Sequence, residues 1–194
     1  MLDSQARRFV EPAFRGAALA LRRFGISANA VSLTALLVGL GAAGSIASGR
    51  PGLAIALLWI SGCLDAVDGT LARLTAGTPI GAILDITFDR IVETAAIAAL
   101  AWRHPALRFE LLLLVGAIAI AMSLFLSIAA AVINRSVKSF HYAPGLGERT
   151  EAFLCLTVMI ADQRRLALWS AIFIAMIVVT MAQRLWYAAR QLAR

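Results

Sequence analysis

Four aspartates stand out among the residues able to do chemistry: Asp65 and Asp68 in one apolar stretch, and Asp85 and Asp89 in the next. An ionised residue near the centre of a membrane helix costs about 2.5–3.5 kcal/mol on insertion scales, so four facing lipid would cost on the order of 10 kcal/mol. They must face an interior, a cavity or a compensating cation. At about 100° per residue, Asp65, Asp68, Gly69, Ala72 and Arg73 fall within about 140° of one helix face. Gly81, Asp85 and Asp89 recur at i, i+4 and i+8 on the next helix, again as one stripe. Facing carboxylates repel unless something positive sits between them, and hard divalent cations prefer all-oxygen surroundings. Two Mg²⁺ or Mn²⁺ ions would balance four negative charges. Such a two-metal centre, with ions about 3.5–4 Å apart, can hold the phosphates of a nucleotide substrate and stabilise charge on the attacking and leaving oxygens. Gly69, Ala72 and Gly81 would let that ligand approach the backbone closely. A cation or proton pathway is the competing reading of the acids, and it leaves the small residues and Arg73 at these offsets without a role.

The elements that must carry these stripes are membrane helices. Of 194 residues, 61% are hydrophobic, and the mean hydropathy is +0.83, far outside the soluble range. Spanning about 30 Å of hydrocarbon takes roughly 20 helical residues. Six apolar runs are expected as spans, at 28–49, 52–74, 80–102, 107–133, 149–162 and 166–188. The fold expected is an all-α integral membrane bundle of six transmembrane helices at 28–188, preceded by an amphipathic interfacial helix at 1–25, all one domain over 1–194. In that first segment Arg7, Arg8, Arg15, Arg22 and Arg23 alternate with Phe9, Val10, Phe14, Leu19 and Leu21, as in a helix lying in the headgroup layer. It lacks the form of a signal peptide, because the basic region is too long and no small-residue cleavage site follows.

These arginines, with Arg135, Lys138 and Arg149 between spans four and five, place the N-terminus and that connection in the cytoplasm. Trp102, Trp169, Trp186 and Tyr187 sit at expected helix ends, where amphipathic rings belong. The net charge of +7 is dispersed among membrane helices, which excludes an extended nucleic-acid face and makes anionic membrane lipid the simpler partner. Cys63 and Cys155 fall in separate spans without metal-ligand spacing.

Read as strings, Asp65-Ala-Val-Asp68-Gly69-Thr-Leu-Ala72-Arg73 and Gly81-Ala-Ile-Leu-Asp85-Ile-Thr-Phe-Asp89 resemble the D-x-x-D-G-x-x-A-R…G-x-x-x-D-x-x-x-D signature of the CDP-alcohol phosphotransferases. The connection between Arg73 and Gly81 is one residue shorter than is usual there. Ser27-Ala-Asn29-Ala-Val-Ser32 resembles the segment that opens that family's first span, with Ala28 in place of Pro. The resemblance implies an enzyme of phospholipid biosynthesis in a prokaryotic cytoplasmic membrane, its active site facing the cytoplasm. It would transfer a phosphatidyl-type group from a CDP-linked lipid, most simply CDP-diacylglycerol, to an alcohol, releasing CMP. It further implies that Asp65, Asp68, Asp85 and Asp89 surround the metals, that Asp68, Gly69, Ala72 and Arg73 contact CDP, and that Asp89 is the general base. Asn29 would touch the donor or the metal site, although a helix-start Asn reads equally well as a cap.

The acceptor is less defined. Gly145-Leu-Gly147-Glu-Arg149-Thr-Glu151 and Gln183-Arg184 resemble places where the phosphatidylinositol phosphate synthase branch holds an acceptor phosphate, which would add Arg149 and Arg184, with Arg135 and Lys138 nearby. Asn134 and Ala131 stand where that branch has Lys and Ser. A polyol phosphate such as inositol phosphate or glycerol phosphate is expected, and a neutral or amino alcohol is the alternative. As a plain topology signal, the same loop would only obey the positive-inside rule. Glu93 drifts off the acidic stripe and reads as structural or as a dimer contact. The small residues Gly39, Gly41, Gly44 and Ala95, Ala96, Ala98, Ala99 permit close helix approach within one bundle, and the family resemblance implies a homodimer.

Overall fold

The computed structural model describes residues 2–75, 77–133 and 149–192. Among these residues every regular element is helical: α1 Leu2–Arg23, α2 Ala28–Ala47, α3 Pro51–Leu74, α4 Pro79–Arg103, α5 Arg108–Ile133, α6 Arg149–Ala161 and α7 Leu166–Leu192, with short 3₁₀ turns at Pro105–Leu107 and Gln163–Arg165. The chain divides into two compact units, Ser4–Pro105 and one built mainly on Ala106–Arg194.

In the first unit, α2 packs against both α3 and α4. Its start is set by Ser27, whose side chain accepts from the Ala30 amide at 3.3 Å. Its end is set by Gly49 at φ 74°, with Arg50 N–H donating to the Ser45 carbonyl at 2.9 Å and Gly49 N–H to Ile46 at 3.0 Å, the paired bonds of a glycine-terminated helix. α4 begins on Thr78, whose hydroxyl accepts from the Gly81 amide at 3.1 Å, with Pro79 at the first turn where no amide is needed. Close approach of α2 to α4 depends on Gly39, where an added Cβ would lie 2.5 Å from a methyl of Val92. Beside it the Ser61 hydroxyl of α3 donates to the Ala35 carbonyl of α2 at 2.7 Å. The small-residue run of α2 thus serves packing within the unit at Gly39. Glu93, 6% exposed, accepts from Arg90 one turn away, so the acid that drifts off the stripe has its partner on its own helix.

In the second unit, α7 packs on α5 and α6, and Leu111, Leu114, Leu156, Met159, Ile160 and Phe173 of these helices are fully buried. The Trp169 indole donates to the Asp162 carboxylate at 3.2 Å where the chain turns from α6 into α7.

Four segments are long and apolar enough to cross a membrane: Ala28–Ala47, Pro51–Leu74, Pro105–Ala131 and Gln163–Arg190. The expected third and fifth spans do not join them. α4 has 25 residues, ample length, but carries Asp85, Asp89, Arg90 and Glu93. α6 has 13 residues, about 20 Å of helix against about 30 Å of hydrocarbon.

Candidate active site

The acidic stripes of α3 and α4 meet. Asp65 and Asp68 are 8% and 3% exposed, and Asp85 is half-buried. One carboxylate oxygen from each of the three lies within 4.8 Å of the others. The Ser32 side chain of α2 and the Gly69 amide lie beside the Asp68 carboxyl. Even so, Asp68 Oδ2 is buried with no hydrogen-bond partner. A buried acceptor without a donor, inside a group of like charges, is what a hard divalent cation satisfies. The residues therefore fit such an ion, and Asp65, Asp68 and Asp85 would hold it. Asp89 is half-buried, one turn further along α4, outside this trio but close enough to interact electrostatically with Asp85, Asp68, Glu93 and Arg90.

A cavity of about 750 Å³ opens onto this cluster. Asp68 and Asp85 form its acidic part, and Asn29, Gly69, Ala72 and Gly81 line it as well. Asn29 is the second residue of α2, and Ser27 does the capping, so Asn29 is not spent on the helix end. Its Oδ1 would sit 3.0 Å from a Cβ added at Gly81, and Thr78 Oγ1 would sit 3.2 Å from it. A side chain at Gly81 would intrude on both, which is the physical reason for glycine there. The shortened connection leaves Gly77, Thr78 and Pro79 on the cavity wall, with the stripes still facing.

Arg73 reaches toward Gly69, its Nη1 3.7 Å from where a Cβ there would lie. It is exposed, does not line the cavity, and donates to the Thr70 hydroxyl at 2.9 Å. Arg184 lies on α7 with its guanidinium 4.8 Å from the Phe125 ring centroid, a cation–π distance. Arg149 opens α6, and its side chain, like Arg135 and Lys138 altogether, lies outside the described residues. Ser32 and Arg22 are among the cavity residues not foreseen as site residues. Ser32 shares a helix face with Asn29 at i+3, a signal present in the sequence. Arg22 was grouped with the headgroup arginines of α1, and nothing in its local sequence separates it from Arg23.

Residues 25–186 match the family described as CDP-alcohol phosphatidyltransferase. The chain belongs to this family. It is accordingly a transferase that moves a phosphatidyl-type group from a CDP-linked donor to an alcohol. No curated protein matches the chain. Among solved structures, Mycobacterium tuberculosis phosphatidylinositol phosphate synthase (PgsA1) with CDP-DAG bound is similar at 22% identity, covering 90% of this chain and 92% of that one, with a TM-score of 0.71. The same enzyme in complex with manganese and citrate aligns at 22% identity over 90% and 88% of the two chains, TM-score 0.71. Its apo form gives a TM-score of 0.68 at the same identity, over 88% and 93%. At this identity the likeness is one of fold.

Proposed function

We propose that the protein transfers the phosphatidyl group of CDP-diacylglycerol to a polyol phosphate, releasing CMP, at the cytoplasmic face of a prokaryotic membrane. The observation that carries this reading is the cavity of about 750 Å³ lined by Asp68 and Asp85 together with the small residues Gly69, Ala72 and Gly81. Such a space admits a nucleotide to the backbone while its phosphates meet the carboxylate cluster. Divalent ions bound there, two Mg²⁺ or Mn²⁺, would hold the donor's phosphates and neutralise charge on the reacting oxygens. Asp65, Asp68 and Asp85 would hold these ions, with Asp89 adjoining.

Asp89 takes the proton from the acceptor hydroxyl. The acceptor oxygen then bonds to the lipid-bearing phosphorus, and the bond from that phosphorus to CMP breaks. Arg149 and Arg184, with Arg135 and Lys138, hold the acceptor phosphate, and Arg73, beside Gly69, contacts the CDP moiety. In the membrane, α4 and α6 cross with the four more apolar segments, since Asp85 of α4 faces the cluster and Arg90 pairs with Glu93, and α1 lies in the headgroup layer. The working form is a homodimer. The likeness to phosphatidylinositol phosphate synthase with CDP-DAG bound and in complex with manganese supports the donor and metal class, and that enzyme's activity supports a phosphorylated polyol.

The test is CMP release by purified protein in nanodiscs, given CDP-diacylglycerol and, separately, inositol phosphate, glycerol phosphate and unphosphorylated inositol, with and without chelator. Turnover with a phosphorylated polyol that chelator abolishes and Mg²⁺ or Mn²⁺ restores is expected. Turnover in excess chelator, or preference for the unphosphorylated alcohol, would overturn it.

A further inference from the structure

Arg22 is the one cation among the described residues that line the cavity, and it lies outside the family signature. Its position comes from packing. Ala18 of α1 is wholly buried in a cluster with Val31 of α2 and Val67 and Leu71 of α3, and Phe14 and Leu21 pack against the same cluster. The C-terminal half of α1 is therefore docked on the α2 and α3 pair. The exit from α1 is equally defined, with Ile26 N–H donating to the Leu21 carbonyl at 3.1 Å, Gly25 N–H to Arg22 at 3.0 Å, and Gly25 at φ 72°. Ser27 follows at once as the cap of α2, so Arg22 and Asn29 lie on either side of one tightly hydrogen-bonded turn, both on the cavity wall.

The charge pattern of that wall asks for a cation. The acids among its lining residues are Asp68 and Asp85, which repel the diphosphate of a CDP-linked donor wherever a bound cation does not offset them. A guanidinium offers several N–H donors in a planar fork matched to phosphate oxygens. We propose that Arg22 is a donor-binding residue, its guanidinium holding a phosphate of the CDP-linked donor from the α1 side of the cavity. This rests on the donor reading above and adds to it a residue on α1, the helix otherwise assigned to the membrane surface. The phosphate it meets has two possible sources, the donor or a bulk anionic lipid, and the test separates them.

CDP binding is measured by calorimetry in neutral detergent, where no lipid phosphate is present, for wild type, Arg22→Ala, Arg22→Lys and Arg23→Ala. Arg23 carries the same charge but does not line the cavity. Arg22→Ala should raise the CDP Kd about 10- to 100-fold, the loss of a charged hydrogen bond. Arg22→Lys should recover part of it, and Arg23→Ala should leave it unchanged. In nanodiscs of phosphatidylcholine, with or without phosphatidylglycerol, the donor KM of Arg22→Ala should rise similarly while kcat holds. Arg22 is exposed, so melting temperature should not move. An unchanged CDP Kd in Arg22→Ala, or a KM effect confined to nanodiscs containing phosphatidylglycerol, would overturn the proposal in favour of a membrane contact. Absence of CDP binding by wild type would overturn the donor reading itself.

Discussion

Replacing Asp68 with Asn should make the metal-free protein more stable and the metal-loaded protein less responsive, two effects of opposite sign from one substitution. Asp68, Asp65 and Asp85 each place a carboxylate oxygen within 4.8 Å of the others. At 4.8 Å and an effective dielectric of about 20, a pair of unit charges repels by about 3.5 kcal/mol, so Asp68 is party to about 7 kcal/mol before solvent screening. Solvent in the adjoining cavity reduces this, and a net relief of about 1–3 kcal/mol is expected on removing the charge. In a chain of this size each kcal/mol moves the melting temperature by about 2–4 °C. Asn also offers an NH₂ donor to a neighbouring carboxylate. Wild type should be stabilised by Mg²⁺ or Mn²⁺, by about 2.7 kcal/mol at 100 times Kd, because the folded cluster binds the ion. The assay is thermal unfolding in detergent by tryptophan fluorescence, with chelator and across a metal titration. Asp68→Asn should melt higher than wild type in chelator and show little rise with metal. A lower melting temperature in chelator, or a metal-dependent rise equal to that of wild type, would refute the claim that the cluster is held together by a cation.

Asp89→Asn should lower kcat by roughly 10²–10⁴ while leaving CDP binding largely intact, as expected of a general base outside the carboxylate trio; calorimetry with CDP beside the turnover assay checks both halves. Arg149→Ala and Arg184→Ala should each raise the acceptor KM far more than the donor KM, by about 10-fold or more for a charged hydrogen bond, and an unchanged acceptor KM in both would return those arginines to topology and packing. Gly39→Ala should destabilise by about 1–3 kcal/mol, since its Cβ would meet Val92 at 2.5 Å, and Val92→Ala in the same chain should recover most of the loss in a melting experiment.

The one-dimensional record was sufficient wherever the signal is local. Helical periodicity alone put Asp65 and Asp68 on one stripe and Asp85 on another, because 3.6 residues per turn and the cost of a charge in an apolar helix leave few arrangements open. Helix limits were legible for the same reason, and α3 at Pro51–Leu74 and α4 at Pro79–Arg103 fall within a residue or so of the expected spans. Length and composition set α4 and α6 apart from the four more apolar segments, since one carries the charges of the cluster and the other is short.

Tertiary structure decided the rest, since packing between distant segments leaves no periodic trace. Only the fold brings Asn29 Oδ1 to the edge of Gly81, and only the fold shows that Ser27 caps α2 and leaves Asn29 available. It also assigns Gly39 to contact with α4. Arg22 and Arg23 are adjacent arginines in a basic amphipathic helix and indistinguishable in sequence. The burial of Ala18 against Val31, Val67 and Leu71 sets the rotation of α1, and that rotation turns one arginine onto the cavity wall and leaves the other off it.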